Sequence, residues 1–185
     1  MNFILTAIQG VVIAEPVIFR DPRGYFCETY NEGEFGRSGI NARFVQDNES
    51  CSCYGVIRGL HCQTGSYSQA KLIRVLRGEI LDVAVDIRQG SPTYGQHVAV
   101  ELSGDNRRQL FIPRHFLHGF AVLSTEAVIT YKVDRFYCPG AEMTVSWDDP
   151  DLGIDWRLPA DRILLSDKDR SRAVRFRDVI PEAAD

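Results

Sequence analysis

The sequence has no apolar run near the eighteen or so residues that a membrane-spanning helix needs, so no helical membrane anchor is expected. It has no CxxC pair, and its five cysteines (Cys27, Cys51, Cys53, Cys62 and Cys138) are an odd number. A disulfide framework is therefore not expected, and a reducing cytoplasm is the natural setting. It lacks a basic excess: 21 Lys and Arg against 25 Asp and Glu leave a net charge of −4. That balance argues against a nucleic-acid partner. The N-terminal Met1-Asn-Phe-Ile-Leu-Thr-Ala-Ile-Gln9 has no positive leader, so a signal peptide is not expected. Repeats, low-complexity tracts and Gly/Ser-rich linkers are missing, and helical periodicity is weak.

What remains is an ordinary globular composition, 44% hydrophobic and 25% charged, in 185 residues. That length predicts one domain over 1–185 with a core of its own. Short apolar runs separated by turn signals read as strands, among them Arg43–Gln46, Val56–His61, Lys71–Leu76, Ile80–Ile87, Gln109–Ile112, Ala127–Val133 and Met143–Trp147. In Ile80–Ile87, Leu81, Val83, Val85 and Ile87 alternate with Asp82, Ala84 and Asp86. Arg77-Gly78-Glu79 reads as a hairpin connection, and Asp21-Pro-Arg-Gly24 as a turn. Two short helices are predicted: one over Glu32–Gly39, another capped by Ser166 with Asp169 at its third position. The expectation is an all-β sandwich or barrel with short peripheral helices.

One stretch stands apart. Gly55-Val-Ile-Arg-Gly-Leu-His-Cys-Gln63 carries Arg58, His61 and Gln63 along one pleated segment, and Lys71 opens the next apolar run. A cation, an imidazole, an amide and a second cation along strand-like sequence point to a floor that binds an anion and moves a proton. Cys62 beside His61 is a poor nucleophile candidate, because neighbouring strand residues point to opposite faces.

Asp21-Pro-Arg-Gly-Tyr-Phe26, Phe44-Val-Gln-Asp-Asn48, Val56-Ile-Arg-Gly-Leu-His61, Asp82-Val-Ala-Val-Asp-Ile-Arg88, Ser91-Pro-Thr-Tyr-Gly95, Arg108-Gln-Leu-Phe-Ile-Pro113, His118-Gly-Phe120, Tyr131-Lys132, Trp147-Asp-Asp149 and Leu165-Ser-Asp-Lys-Asp169 stand in one order. Together they resemble the dTDP-4-dehydrorhamnose 3,5-epimerase family. The resemblance implies a cupin-type jelly roll, usually a homodimer, that uses no metal and no cofactor. It implies epimerisation of dTDP-4-keto-6-deoxyglucose at carbons 3 and 5 on the route to dTDP-L-rhamnose. The alternative is a mono-epimerase acting at one carbon of a related dTDP-4-keto-deoxysugar.

The chemistry asks for residues of these types. A ketone at carbon 4 acidifies the protons on carbons 3 and 5, so inversion needs a base, an acid on the opposite face, and a group that steadies the enolate oxygen. His61 fits the base, with an imidazole pKa of about 6.5 when unperturbed. Tyr131 fits the acid and Lys71 the oxyanion partner. The resemblance assigns the same roles and makes Asp169 the partner of His61. On the residues alone, Asp169 reads first as a helix-cap residue, and one carboxylate can serve both tasks only in part. The substrate-binding set implied by resemblance is Arg23, Glu28, Gln46, Asn48, Arg58, Lys71, His118, Tyr137, Glu142 and Lys168. Arg23 and Arg58 suit diphosphate, and Tyr137 would stack on thymine.

Metal-binding cupins present His-x-His with a following carboxylate. Here Gln63 replaces the second histidine and Lys71 follows, so no metal is expected. A 3,4-ketoisomerase is disfavoured by the Val-Ile-Arg-Gly-Leu-His-x-Gln pattern with Tyr131-Lys132. A degenerate binding module would be expected to lose His61 or Tyr131, and both are present. Phe136 and Arg114-His115 depart from the usual pattern and bear on regiospecificity.

Overall fold

The computed structural model describes residues 1–181. Its strands, in chain order, are β1 (Asn2–Leu5), β2 (Val12–Glu15), β3 (Ile18–Asp21), β4 (Gly24–Cys27), β5 (Gln46–Cys53), β6 (Ile57–Gln63) and β7 (Lys71–Arg77). The rest are β8 (Glu79–Asp86), β9 (His97–Ser103), β10 (Gln109–Ile112), β11 (Phe116–Val122), β12 (Glu126–Val133) and β13 (Glu142–Thr144). Two short helices, α1 (Glu32–Arg37) and α2 (Asp167–Arg172), lie at the periphery. A six-stranded sheet runs β1-β2-β10-β7-β12-β5, a five-stranded sheet runs β13-β6-β11-β8-β9, and β3–β4 form a separate ribbon. All pairings between these strands are antiparallel. This is the expected all-β, cupin-type jelly roll.

Strand β8 shows how the sequence builds the layers. Leu81, Val83 and Val85 pack on one side, against Trp156, Phe176 and Val179 of the C-terminal segment. Ile80 and Ala84 turn the other way, into the space between the sheets, where Ile73, Val75, Leu102, Leu110, Phe116 and Ile129 meet them. Each such fully buried aliphatic stabilises by about 1.5–3 kcal/mol. A third cluster, with Phe35 of α1 against Val12, Ala14, Leu72 and Phe111, covers the outer face of the larger sheet.

Three expectations need correction. Arg77-Gly78-Glu79 is a corner and not a hairpin: β7 belongs to the six-stranded sheet and β8 to the five-stranded one. Gly78 has φ +80°, and a Cβ there would lie 2.0 Å from the Glu126 carbonyl oxygen, so the corner admits no side chain. Arg43–Gln46 is a strand only from Gln46 onward, because β5 begins where Phe44 and Val45 end. Strand β5 itself, Gln-Asp-Asn-Glu-Ser-Cys-Ser-Cys, was not expected. It is an edge strand with few apolar residues, and its inward positions face polar space.

Candidate active site

A cavity of about 500 Å³ opens between the two sheets. Its apolar base is Ile73, Phe120 and Ile129, the end of the sandwich core. Above that base the walls turn polar. The six-stranded sheet contributes Ser50, Lys71 and Tyr131; the five-stranded sheet contributes Arg58, His61 and His118.

Strict alternation would put Arg58 and His61 on opposite faces. A bulge corrects this: His118 pairs with His61 and Phe120 with Arg58, so two residues of β6 oppose one of β11. Gly59 sits in the bulge, and a Cβ on it would lie 2.6 Å from the Gly119 Cα. The bulge therefore turns both Arg58 and His61 into the cavity, while Cys62 packs into the cluster behind the sheet. Gln63, expected to share the orientation of Arg58 and His61, does not line the cavity. It brackets two loops, donating to the Tyr67 carbonyl (2.9 Å) and accepting from the Cys138 amide (2.5 Å).

The mouth is closed by the segment before α2. Leu164 forms a parallel bridge to Val56, with Ile57 N–H donating to its carbonyl (3.0 Å) and its own N–H to the Gly55 carbonyl (2.9 Å). That stitch carries Ser166, Lys168 and Asp169 over the cavity. Asp169 Oδ1 lies 2.5 Å from His61 Nε2. The Asp169 backbone N–H meanwhile donates to Ser166 Oγ at 3.1 Å. Capping thus uses the amide and the histidine pair uses the carboxylate, so the two tasks do not compete as expected.

Burial on its own raises the Asp169 carboxyl, but its hydrogen bond to His61, the His61 charge, Ser166 and Lys168 outweigh it and hold it below the usual carboxylate range. Burial pushes the Lys71 ammonium down, against the pull of Cys62, Asp82 and Glu142. Burial pushes the Tyr131 phenol up, with the Arg58 charge opposing. A base paired to a carboxylate, a phenol on the facing wall and a desolvated cation beside them can move a proton off one face of a small anionic substrate and onto the other.

The remaining candidates divide into three groups. Arg58 lines the cavity, its Nε donating to Ser52 Oγ (3.1 Å). Lys168 and His118 line it too. At the rim, Gln46 donates to Asn48 Oδ1 (2.9 Å) and accepts from the Tyr137 amide (3.3 Å). Tyr137 donates its hydroxyl to Glu142 Oε2 (2.8 Å), and Lys168 bonds the same oxygen. Arg23 and Glu28 are not brought into this cavity. Arg23 lies in the β3–β4 turn, its side chain 89% exposed and ion-paired to Asp21.

Sequence reasoning missed Asp82, the fully buried partner of His118 at 2.6 Å. The signal was available: an acid at an interior position of a strand that is otherwise almost wholly buried. Among the described residues, no three His, Cys, Asp or Glu side chains are grouped to hold a metal ion.

With this geometry in view, the comparisons are specific. The family model for dTDP-4-dehydrorhamnose 3,5-epimerase matches residues 5–177. An enzyme of that name from Methanothermobacter thermautotrophicus is 52% identical over 171 residues, 92% of each chain. The crystal structure of the Elizabethkingia anophelis enzyme superposes with a TM-score of 0.93 at 48% identity, covering 96% of this chain and 97% of that one. A Legionella pneumophila 3,5-epimerase solved with dTDP-4-keto-L-rhamnose gives 0.89 at 48% identity, covering 94% and 92%. On the match of its sequence and of its sandwich alike, the chain belongs to the dTDP-4-dehydrorhamnose 3,5-epimerase family.

Proposed function

We propose that the protein converts dTDP-4-keto-6-deoxyglucose to dTDP-4-keto-L-rhamnose by inverting carbons 3 and 5, and that His61, Asp169, Tyr131 and Lys71 carry the chemistry. The observation that bears most weight is the His61–Asp169 pair at 2.5 Å, facing Tyr131 across the cavity. With Nε2 held by Asp169, His61 Nδ1 takes the proton from the carbon beside the ketone. The electron pair moves onto the carbonyl oxygen, where the Lys71 ammonium faces the developing charge. Tyr131 then returns a proton from the opposite wall. Its raised pKa keeps the phenol protonated until the carbanion-like carbon demands it.

Arg58 and Lys168 serve the diphosphate, and Gln46, Asn48, Tyr137 and Glu142 serve the nucleoside and sugar at the rim. Arg23 and Glu28 lie outside their own chain's cavity, so they reach substrate only from a second copy. A homodimer provides that copy. The β3–β4 ribbon, which carries Arg23 in its turn and ends one residue before Glu28, exposes Phe19, Tyr25 and Phe26, apolar surface that such a partner would cover. We place the enzyme in the cytoplasm, where its nucleotide-sugar substrate and its unbridged cysteines belong.

Incubation with dTDP-4-keto-6-deoxyglucose in deuterated water, followed by NMR of the sugar, tests the reading. Deuterium at carbons 3 and 5 is the expected result. Label at one carbon would favour the mono-epimerase alternative, and no label from folded protein would sink both.

A further inference from the structure

The proton transfers proposed above give no task to the second histidine–carboxylate pair in the cavity. Asp82 lies near the middle of β8, opposite Phe120 of β11, with no solvent exposure. Its Oδ1 is 2.6 Å from His118 Nε2, and its Oδ2 has no hydrogen-bond partner among the described residues. Three titratable groups bear on His118: Asp82 from β8, Lys71 from β7 and His61 from β6. Burial disfavours the imidazolium, Lys71 and His61 push the same way, and Asp82 alone opposes them. The surroundings therefore favour the neutral imidazole of His118.

A neutral imidazole has one N–H and one lone pair, and an ionised carboxylate can only accept. The His118 proton accordingly sits on Nε2, donated to Asp82. The nitrogen left for the cavity is Nδ1, and it is an acceptor. An acceptor cannot steady an enolate oxygen, but it can take the O–H of a sugar hydroxyl.

The geometry points to Asp82 as a positioning residue that fixes His118 as an acceptor for a ring hydroxyl of the 4-keto sugar. This rests on the epimerase reading above and adds a specificity device to it. Lys71 meets the oxygen that gains charge; His118 checks that a neighbouring carbon carries a hydroxyl. A buried acceptor left without its hydroxyl is costly, so such a site discriminates against deoxy analogues more strongly than an apolar pocket could.

Two measurements decide it. In ¹⁵N-labelled protein at pH 7, long-range ¹H–¹⁵N correlation, with His118 assigned by its loss in His118→Gln, should show the neutral Nε2–H tautomer. An Nδ1–H tautomer or an imidazolium would overturn the assignment. Asp82→Asn keeps the shape but removes the charge that holds the proton on Nε2. Its kcat/KM for carbon-5 proton exchange is then compared on the parent sugar and on its 2-deoxy and 3-deoxy analogues. The parent should lose about 10- to 100-fold more than the analogue lacking the read hydroxyl. An equal loss on all three would mean that Asp82 acts through Lys71 or through stability, and the proposal would fail. If wild-type enzyme exchanged no proton of the parent, the epimerase reading would fall, while the tautomer would still decide the role of Asp82.

Discussion

The cavity holds the same chemical pair twice, and the two pairs are built in opposite ways. His61 and Asp169 are 108 residues apart and meet only because the Leu164 bridge folds α2 over the mouth. His118 and Asp82 stand on adjacent strands of one sheet, fixed by the ladder itself. The His61 side chain is 26% exposed and that of His118 is 11%. Asp169 has the Ser166 cap and Lys168 nearby, while Asp82 keeps one oxygen without a hydrogen bond among the described residues. A histidine that must gain and lose a proton each turnover sits nearer solvent, with a buried partner whose charge Ser166 and Lys168 support. A histidine that must keep one polarity is locked where its charged form is too costly.

Removing the groups that move the proton should therefore have the largest consequence. His61→Ala and Tyr131→Phe are each expected to lower kcat by roughly 10²–10⁴, the range for general acid–base groups, measured as formation of the inverted sugar under saturation. Asp169→Ala should fall in the same range while the protein stays folded, because the cap uses a backbone amide that alanine retains and only the pairing with His61 is lost. If Asp169→Ala kept its turnover and lost only stability, the pair would be structural and the contrast with His118 would vanish.

How much of this contrast could be read from sequence depends on which forces shape each element. Strand β8 was legible because its apolar residues alternate over eight positions and both faces are packed. Strand β5 was not, because the cavity it borders asks for Ser50 and Asn48 where a core would ask for valine. The shared orientation of Arg58 and His61 depends on a bulge at Gly59, and a sequence offers the glycine without the register. Gly78 was read as a turn but not as a change of sheet, since a hairpin and a corner demand the same left-handed residue. The His61–Asp169 pair was named through family resemblance alone. Its physical cause, the bridge at Leu164, involves a residue with no distinguishing chemistry.

A third carboxylate sharpens the contrast by having no histidine at all. Asp86, on the same strand as Asp82, accepts from Arg88 Nε (2.9 Å), Ser91 Oγ (2.6 Å) and Thr93 Oγ1 (2.6 Å). Burial alone would raise its pKa, but these bonds draw it from 3.8 to about 2. A depressed carboxyl stabilises the fold above its unfolded pKa, and the gain disappears as pH falls through the folded one. Asp86→Asn should thus cost about 2 kcal/mol at pH 7. The cost should shrink between about pH 4 and pH 2, checked by denaturant titration across that window. A pH-independent loss would show that Asp86 acts by shape and not by charge.

The smallest expected effect separates the two tasks that meet at Asp169. Ser166→Ala removes the oxygen that accepts the Asp169 amide, and the loss of an N-cap typically costs about 1 kcal/mol. Because α2 has only six residues, the loss should be felt as a loosened first turn, where Asp169 sits. Thermal stability should drop, and kcat should drop by less than tenfold because the carboxylate still finds His61. Ser166→Asp, which caps as well as serine, should restore stability. A fall in kcat as deep as that of Asp169→Ala, with α2 still capped in Ser166→Asp, would mean that Ser166 touches the substrate. The mouth segment would then be part of the chemistry and not only the arm that delivers Asp169 to it.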